Sequence, residues 1–316
     1  MEMKNKKVLI IHCGYPKAGS SFIIDNMINI SIDNNVISVS NEANLLNCFK
    51  LIKNLSNEDF NKKNIFLANL ISSYIKTDFN LFGYEGILNI NDEYNNKIRF
   101  FNRIKKIAKD INVELKISIF LRNQIDLITS SYKENYLRII FKNFKFISFR
   151  KYIYSIINRS NINLFKNLDF EDNLRRVYQL FPKENIYIGT LEELSINSDK
   201  IFQELLEFCN FTEYDLNCIS LKPINSSSNK EILKLIKVRI YDYLFMKKYF
   251  TLSTVLNSIE LLLRQIFLQS LLNKFVTIRK SEQREIYNLY HLSNQKLMRR
   301  FTMKTENMEK KYFYND

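Results

Sequence analysis

Short apolar runs that alternate with longer stretches of helical spacing constrain the fold of this chain more than any other feature of its sequence. The runs that predict strands are Val8–Cys13, Val36–Val39, Asn64–Leu67, Leu81–Tyr84, Lys116–Leu121 and Asn185–Ile188. Helices are predicted at, among other places, Ser20–Asn29, Lys97–Asp110, Phe170–Leu180 and Ile201–Cys209. This alternation is typical of a parallel sheet covered by helices, so we expect an α/β fold with a central, mostly parallel sheet.

The pattern changes after Pro223, which suggests a second region. Apolar residues recur with helical spacing over 230–275, with lysines and arginines among them, and a last helix is predicted over Ser281–Arg300. We therefore expect an α/β core over residues 1–229 and a helical C-terminal region over residues 230–316 that packs on it. The alternative is that these basic amphipathic helices contact a membrane surface.

The charge balance is strongly basic and bears on the kind of partner. Lysine and arginine number 47 against 33 acidic residues, giving a formal charge of +14. Such a surface suits an anionic partner, although a lysine-rich surface also serves solubility alone.

Cysteines and terminal segments indicate the compartment. The four cysteines form no CxxC pair, and only two histidines could join them in a metal site, so we expect no metal. Isolated cysteines are typical of buried thiols in a reducing compartment. The apolar run after Lys7 is too short for a signal peptide, and the sequence has no membrane-spanning apolar run, so we expect a cytoplasmic protein.

The segment after the first predicted strand has the features of an anion-binding turn. It runs Gly14-Tyr15-Pro16-Lys17-Ala18-Gly19-Ser20-Ser21 and leads into a predicted helix, whose free amides and positive dipole end attract anions. Gly19 lets the backbone approach an oxyanion closely, Ser20 and Ser21 add hydroxyl donors, and Lys17 adds a positive charge. The segment differs from the GxxxxGK[ST] loop of nucleoside triphosphatases, since Ser20 stands where that loop has its lysine.

A second anion-binding pattern follows the predicted strand Lys116–Leu121. Arg122 comes at the carboxyl end of this strand, where parallel sheets bind ligands, and Ser130 lies eight residues later on the next helix. Arginine offers a bidentate fork and serine a single donor, so both side chains could hold one phosphate. The two patterns together predict a nucleotide-binding core.

These two segments resemble the 5′-phosphosulfate loop and the 3′-phosphate motif of the sulfotransferase superfamily. More closely, the chain resembles bacterial carbohydrate-type sulfotransferases, in which Arg-Asn-Gln is followed by Asp-Leu-Ile and Ser-x-Tyr, as in Arg122 to Tyr132. Weaker similarities lie at Phe181–Asn185, Thr190–Leu194, Asn225–Ser228 and Tyr290–Asn294. The segment around Lys222 departs from the family pattern, because it lacks the GxxGxxK loop of cytosolic members.

The resemblance implies a cosubstrate, an activity and a set of site residues. The cosubstrate would be 3′-phosphoadenylyl sulfate, converted to adenosine 3′,5′-bisphosphate as its sulfuryl group moves to a hydroxyl of a glycan or glycolipid, with no metal. The residues implied to hold it are Pro16, Lys17, Ala18, Gly19, Ser20 and Ser21 at the 5′-phosphosulfate, and Arg122 and Ser130 at the 3′-phosphate. Sulfuryl transfer resembles phosphoryl transfer in its loose in-line transition state, so Lys17 would neutralise the charge on the departing oxygen.

The acceptor hydroxyl must also lose its proton, and three residues are candidates for the base. Glu42 follows the second predicted strand, whose carboxyl end we expect to lie beside the phosphate loop. Glu85 follows a later predicted strand, Leu81–Tyr84, with Gly83 and Gly86 near it, and His12 lies on the first strand. We rank Glu42 first, Glu85 second and His12 third, and we assign no role to His291.

Two other functions remain open on the sequence alone. A phosphate-loop kinase would need a lysine at position 20 and an acidic metal-binding strand end, neither of which the sequence has. A non-enzymatic module could bind nucleic acid or an anionic membrane through the basic region 230–300, where aromatic residues also occur, but their spacing fits a helical core as well. We expect no nucleic-acid partner, and any membrane contact would be at the inner face.

Overall fold

The computed structural model describes residues 6–15, 18–33, 37–40, 42–142, 148–211 and 276–300. The strands of this part are β1 Val8–Gly14, β2 Ile37–Ser40, β3 Phe79–Gly83, β4 Glu114–Leu121 and β5 Ile186–Thr190. Its helices are α1 Ser20–Asp33, α2 Ala43–Asn54, α3 Asn57–Ser73, α4 Asn96–Asp110, α5 Gln124–Lys142, α6 Phe149–Ile157, α7 Ile162–Asn167, α8 Phe170–Tyr178, α9 Leu191–Ile196, α10 Ser198–Phe208 and α11 Lys280–Arg300. Short 3-10 turns lie at Glu85–Leu88 and Lys183–Asn185.

The five strands form one parallel sheet in the order β2-β3-β1-β4-β5. All seven residues of the central strand β1 are buried, because helices cover both faces of the sheet. His12 of β1 pairs with Gly83 of β3 on one side and with Ser118 of β4 on the other. The expected α/β fold with a central parallel sheet is therefore confirmed, and the carboxyl ends of β3, β1 and β4 lie side by side at one edge.

Phenylalanine and tyrosine rings fill the space between the sheet and the helices α2 and α4. The ring of Phe49 in α2 lies 6.3 Å from that of Phe82, 5.6 Å from that of Tyr84 and 5.8 Å from that of Phe100. Aromatic pairs at such distances stabilise a core beyond the area that they bury. This packing fixes the carboxyl end of β3, where Tyr84 lies.

The cysteines of the described chain agree with the sequence analysis. Cys13, Cys48 and Cys209 are buried free thiols. Burial raises the pKa of the Cys48 thiol to about 12, so it stays protonated and packs as a small apolar side chain. Cys218 lies outside the described residues.

One predicted strand is wrong. Asn64–Leu67 lies inside helix α3, which begins after Ser56, whose hydroxyl accepts a 3.0 Å hydrogen bond from the amide of Asp59. The run Ile65-Phe66-Leu67 looked like a strand, but Ile65 and Phe66 are 75% and 61% exposed while Leu67 is buried. The buried positions recur with the period of a helix, and only one member of the apolar run belongs to the core.

Helix α11 coincides with the predicted last helix and packs on α6 and α8. Its Tyr290 donates a 2.9 Å hydrogen bond to the carbonyl of Phe165, and Asn294 accepts one of 2.8 Å from the side chain of Gln124. Both residues belong to the weak tail similarity Tyr290–Asn294. Residues 212–275 and 301–316 lie outside the described part, so a membrane contact through the basic region stays a hypothesis.

Within the described ranges, no helix is both long enough and apolar enough to cross a membrane.

Candidate functional site

The turn after β1 leaves a serine hydroxyl buried at the start of helix α1. Ser20 is 2% exposed, and its Oγ has no hydrogen-bond partner among the described residues. A Cβ atom at position 14 would lie 2.1 Å from that oxygen, so only a glycine leaves it room. A buried polar atom without a partner is costly, and an oxyanion on the turn would satisfy this one.

Gly19 completes the turn with a left-handed backbone conformation at φ +85°. A side chain there would be strained, and its Cβ would lie 3.0 Å from Leu191 and Leu194 of α9. The carbonyl of Gly19 accepts the first helical hydrogen bond, from Ile23, at 3.0 Å. The amides before that of Ile23 therefore lie at the end of α1 that favours anions.

Ala18 is fully buried, and its amide donates a 3.0 Å hydrogen bond to the carbonyl of Tyr15. Ser21 is exposed at the first turn of α1. The predicted Pro16 and Lys17 lie outside the described residues, so their roles stay predictions from the sequence.

Arg122 and Ser130 meet as their spacing predicted. Nη1 of Arg122 lies 3.3 Å from the Ser130 hydroxyl, which in turn donates to the carbonyl of Leu127 at 3.2 Å. Arg122 directly follows β4, and Ser130 lies in the second turn of α5. The two side chains can therefore reach the same anion from a strand end and a helix.

Lys133 adds a second cation that the sequence analysis missed. It lies three residues after Ser130 on α5, a spacing that places both side chains on one helix face. Burial, and then the charge of Arg122, lower the pKa of Lys133. Two like charges held together in partial burial favour an anionic ligand between them. No sequence pattern indicated Lys133, because its position relative to Arg122 depends on tertiary structure and belongs to no motif.

Contacts from α9 and α11 hold the start of α5 in place. The amide of Asn123 donates a 2.8 Å hydrogen bond to Glu192, which is 5% exposed at the start of α9. The Asn123 side chain caps α5, because its Oδ1 accepts a 2.9 Å hydrogen bond from the amide of Ile125. Its Nδ2 donates a hydrogen bond of 3.3 Å to the Tyr287 hydroxyl of α11. These contacts fix the backbone directly after Arg122, and one of them comes from Glu192 in the segment Thr190–Leu194.

The two anion-binding segments lie next to each other because β1 and β4 are neighbours. Gly14 pairs with Phe120, and the amide of Tyr15 donates a 2.9 Å hydrogen bond to the Phe120 carbonyl, two residues before Arg122. The structure therefore brings the turn after β1 and the arginine after β4 to the same edge of the sheet. This is where open parallel sheets bind nucleotides.

A cleft of about 420 Å³ lies beside the turn, on the β3 side. Its lining residues come from α1, α2 and the end of β3, and they are Ser21, Ile24, Asp25, Leu46, Gly83, Tyr84 and Gly86. Asp25 is exposed and lies one helical turn after Ser21, so its carboxylate faces the cleft. No sequence motif had indicated this carboxylate. Lys53 donates hydrogen bonds to the Gly86 carbonyl and to Asp92 and thereby holds the turn after β3.

The expected position of Glu42 relative to the phosphate loop is wrong. β3 lies between β2 and β1, so the strand end beside the turn is that of β3. The amide of Tyr84 donates a 2.9 Å hydrogen bond to the His12 carbonyl, and Glu85 comes directly after Tyr84. Order along the chain did not predict this, because a crossover can pass over a neighbouring strand position.

Both acidic candidates are nevertheless close in sequence to residues that line the cleft. Glu42 is exposed at the residue before α2, four residues before Leu46, and Glu85 stands between Tyr84 and Gly86. Burial is the largest cause that raises the pKa of Tyr74, and the charge and hydrogen bond of Glu42 add to it, so this carboxylate lies beside the Tyr74 hydroxyl.

His12 is fully buried within the sheet. Its Nδ1 lies 3.1 Å from the Ser118 hydroxyl and its ring 5.4 Å from that of Phe120. Burial lowers the pKa of His12 to about 4, so the imidazole is neutral at pH 7. The exposed His291 lies on α11 with Gln295 as its neighbour at 2.9 Å.

Comparison with known proteins identifies the fold. No protein-family model and no curated protein matches the sequence. The solved sulfotransferase from Alicyclobacillus acidocaldarius matches with a TM-score of 0.53 over 96% of this chain and 98% of its own, at 11% identity.

Two further solved structures match more weakly. Mouse sulfotransferase SULT7A1 complexed with PAP has a TM-score of 0.40 over 66% of this chain and 61% of its own, at 12% identity. The sulfotransferase domain of the Synechococcus PCC 7002 olefin synthase also has 0.40, over 74% of this chain and 85% of its own, at 12% identity. The similarity to the Alicyclobacillus protein over nearly the whole length shows that this chain has the sulfotransferase fold.

Proposed function

We propose that the protein is a sulfotransferase that moves a sulfuryl group from 3′-phosphoadenylyl sulfate to a hydroxyl group of a glycan or glycolipid. The observation that supports this best is the pair of anion-binding segments at one sheet edge. The buried Ser20 hydroxyl, which has no hydrogen-bond partner in the described part of the chain, follows β1, and the Arg122–Ser130 pair follows the neighbouring strand β4. A nucleotide with phosphate groups at both its 5′ and 3′ positions suits two such sites.

The residues fit this cosubstrate. The α1 amides and Ser20 would hold the 5′-phosphosulfate, for which Gly14 and Gly19 leave room, and Arg122 with Ser130 and Lys133 would hold the 3′-phosphate. In the transfer, the acceptor oxygen forms a bond to sulfur as the bond from sulfur to the phosphate oxygen breaks. The acceptor proton goes to a base, and adenosine 3′,5′-bisphosphate leaves.

Charge stabilisation at the departing oxygen is assigned to Lys17 and the amides after Gly19. Preorganised donors at an atom that gains negative charge lower the barrier without reorganisation, and one such group contributes about 10²–10³ in rate. This assignment needs no divalent metal, because the positive charge comes from the protein itself.

The cleft between α1, α2 and the end of β3 is the proposed acceptor site. It adjoins Ser21, the residue after the buried Ser20, and its walls combine Tyr84 and aliphatic side chains with Asp25. Walls with both apolar and polar groups suit a sugar, which has both apolar and hydroxyl-bearing surfaces. This composition supports a glycan or glycolipid.

The sheet order favours Glu85 over Glu42 as the proposed base. Glu85 follows β3, the direct neighbour of β1, whereas Glu42 follows the edge strand β2 and lies beside Tyr74. Asp25 is a third carboxylate at the cleft. His12 is less suited, because its imidazole is fully buried and its lowered pKa, about 4, makes it a weak base.

The proposal is tested by incubating the protein with 3′-phosphoadenylyl sulfate labelled in its sulfur and with purified polysaccharide and glycolipid fractions, in the presence of a chelator. We expect label in one acceptor fraction and a stoichiometric amount of adenosine 3′,5′-bisphosphate. Lys17→Ala should lower the rate of this transfer by about a hundredfold or more. The matched control is Lys63→Ala, which removes an exposed lysine on α3. A strict magnesium requirement with ATP turnover would favour the phosphate-loop kinase instead.

A further inference from the structure

A buried lysine lies directly behind the turn that follows β1. Lys97, in the first turn of α4, is 2% exposed, and its Nζ donates a 2.8 Å hydrogen bond to Oδ1 of Asn173 in α8. The same Nζ lies 5.9 Å from the ring centroid of Tyr15 and 5.6 Å from that of Tyr94. A buried ammonium group is attracted to such ring faces, so Lys97 joins α4 and α8 to the turn.

Tyr15 connects this lysine with the anion-binding backbone. Its ring is 1% exposed and lies 4.7 Å from the ring of Phe170. Its amide donates to the Phe120 carbonyl of β4 at 2.9 Å, and its carbonyl accepts from the amide of Ala18 at 3.0 Å. Tyr15 is therefore held in the core by its ring, and its backbone is bonded both to β4 and to Ala18, which precedes Gly19 and Ser20.

Charged groups of both signs surround the Lys97 amine. Those that act on its pKa are Lys53, Asp92, Asp169 and Arg176, whereas Lys166 and Asp172 contact Tyr94, whose ring also lies beside the Lys97 amine. Burial is the largest cause that lowers the pKa of Lys97, to about 7. Lys53 and Arg176 act in the same direction, and Asp92 and Asp169 oppose them. A pKa of about 7 lets the amine change its charge near neutral pH.

We propose that Lys97 is a positioning residue whose charged amine holds Tyr15 and the turn after β1 in the nucleotide-binding conformation, so that nucleotide binding and protonation of Lys97 favour each other. This inference rests on the proposed function, since it takes the turn to be the 5′-phosphosulfate site. Lys97 acts through Tyr15 and does not contact the ligand.

The coupling follows from charge and burial. A phosphate on the turn places negative charge on the far side of Tyr15, where the low dielectric of the interior screens it little from the amine. The ligand therefore raises the affinity of Lys97 for a proton, and by linkage the protonated protein binds the ligand more tightly by the same factor. A neutral amine keeps a hydrogen bond to Asn173 but loses its attraction to the Tyr15 ring.

The test is calorimetric titration with adenosine 3′,5′-bisphosphate at pH 7.5 in two buffers of different ionisation enthalpy. The wild-type chain is compared with Lys97→Met, which keeps the length of the side chain, and with Lys109→Met, which removes an exposed lysine at the other end of α4. At this pH the ligand phosphates, with pKa near 6, are almost fully ionised. Proton uptake by the complex therefore reports on the protein.

We expect proton uptake by the wild type and by Lys109→Met, and none by Lys97→Met. Lys97→Met should also bind the ligand about threefold more weakly at this pH, because a coupling of one pKa unit reaches its full tenfold effect only at a pH where the amine is protonated in both states. Equal affinity and equal proton uptake in Lys97→Met would overturn the inference while leaving the proposed function intact.

The wild-type titration is informative even if Lys97→Met does not fold. Tight binding without proton uptake would exclude the coupling. Absence of binding by the wild type would instead contradict the proposed function, on which the inference depends.

Discussion

The Arg122 guanidinium lies 3.3 Å from the Ser130 hydroxyl, eight residues further along the chain. Lys133 lies one helical turn beyond Ser130, and burial, followed by the nearby charge of Arg122, lowers its pKa. Strand β4 and helix α5 thus hold two cations and a hydroxyl around one position.

Replacing Lys133 with alanine should weaken the binding of adenosine 3′,5′-bisphosphate by about tenfold, because a hydrogen bond to a charged group contributes about 1.5–3 kcal/mol. Binding of AMP should change little, since AMP has no 3′-phosphate. Calorimetric titration measures both affinities, and Lys151→Ala, on the exposed face of α6, is the control. Unchanged bisphosphate affinity would remove Lys133 from the site.

Replacing Glu192 with alanine should lower both stability and nucleotide affinity. Its carboxylate accepts the amide of Asn123, next to Arg122, and an unsatisfied buried amide costs about 1–3 kcal/mol of unfolding free energy. Glu192→Gln keeps an acceptor and should lose less of both. Urea unfolding and calorimetry measure the effects, with the exposed Glu184→Ala as control. A loss of stability without a loss of affinity would show that Glu192 does not position Arg122.

The amide variants of the three carboxylates near the cleft should separate the base from the acceptor contacts. We expect Glu85→Gln to lower turnover by about 10²–10⁴-fold with near-normal bisphosphate affinity, because Glu85 follows the strand next to β1. Glu42→Gln and Asp25→Asn should mainly raise the KM for the acceptor. Steady-state assays with the labelled cosubstrate measure each effect. Full turnover in Glu85→Gln and loss in Glu42→Gln or Asp25→Asn would reassign the base.

Lys97 should make the stability of the folded protein depend on pH. Its pKa is about 7 in the folded state against 10.5 when exposed, so between these values the unfolded chain binds more protons. Stability therefore rises with pH in this window, by up to about 1.4 kcal/mol per unit for one proton, and the gain is lost as pH falls toward 7. Urea unfolding from pH 7 to 9 should give a smaller slope for Lys97→Met than for wild type. Identical slopes would exclude a buried, titrating Lys97.

The sequence predicted those parts of the site whose geometry is local. The turn from β1 into α1 and the pairing of Arg122 with Ser130 follow from strand ends, helix starts and a spacing of two helical turns. The apolar runs of β1 and β4 were sufficient to predict buried central strands, because both faces of a parallel sheet are covered.

Residues whose role depends on contacts across the fold could not be predicted in this way. Lys97 is one of many lysines in the sequence, and only its position behind Tyr15 distinguishes it. Asp25 and Lys133 face a cleft and an arginine that other elements supply. The position of β3 between β2 and β1 is likewise a property of the chain crossover, which apolar patterning does not encode, and it changed the order of the candidate bases.

The most direct test of the account compares adenosine 3′,5′-bisphosphate with AMP in calorimetric titrations of the wild-type protein and of Arg122→Ala. We predict that the bisphosphate binds the wild type at least about tenfold more tightly than AMP, because a second phosphate adds charge-assisted hydrogen bonds, and that Arg122→Ala abolishes this difference. Equal affinities for the two nucleotides in the wild type would contradict the 3′-phosphate site and, with it, the use of 3′-phosphoadenylyl sulfate.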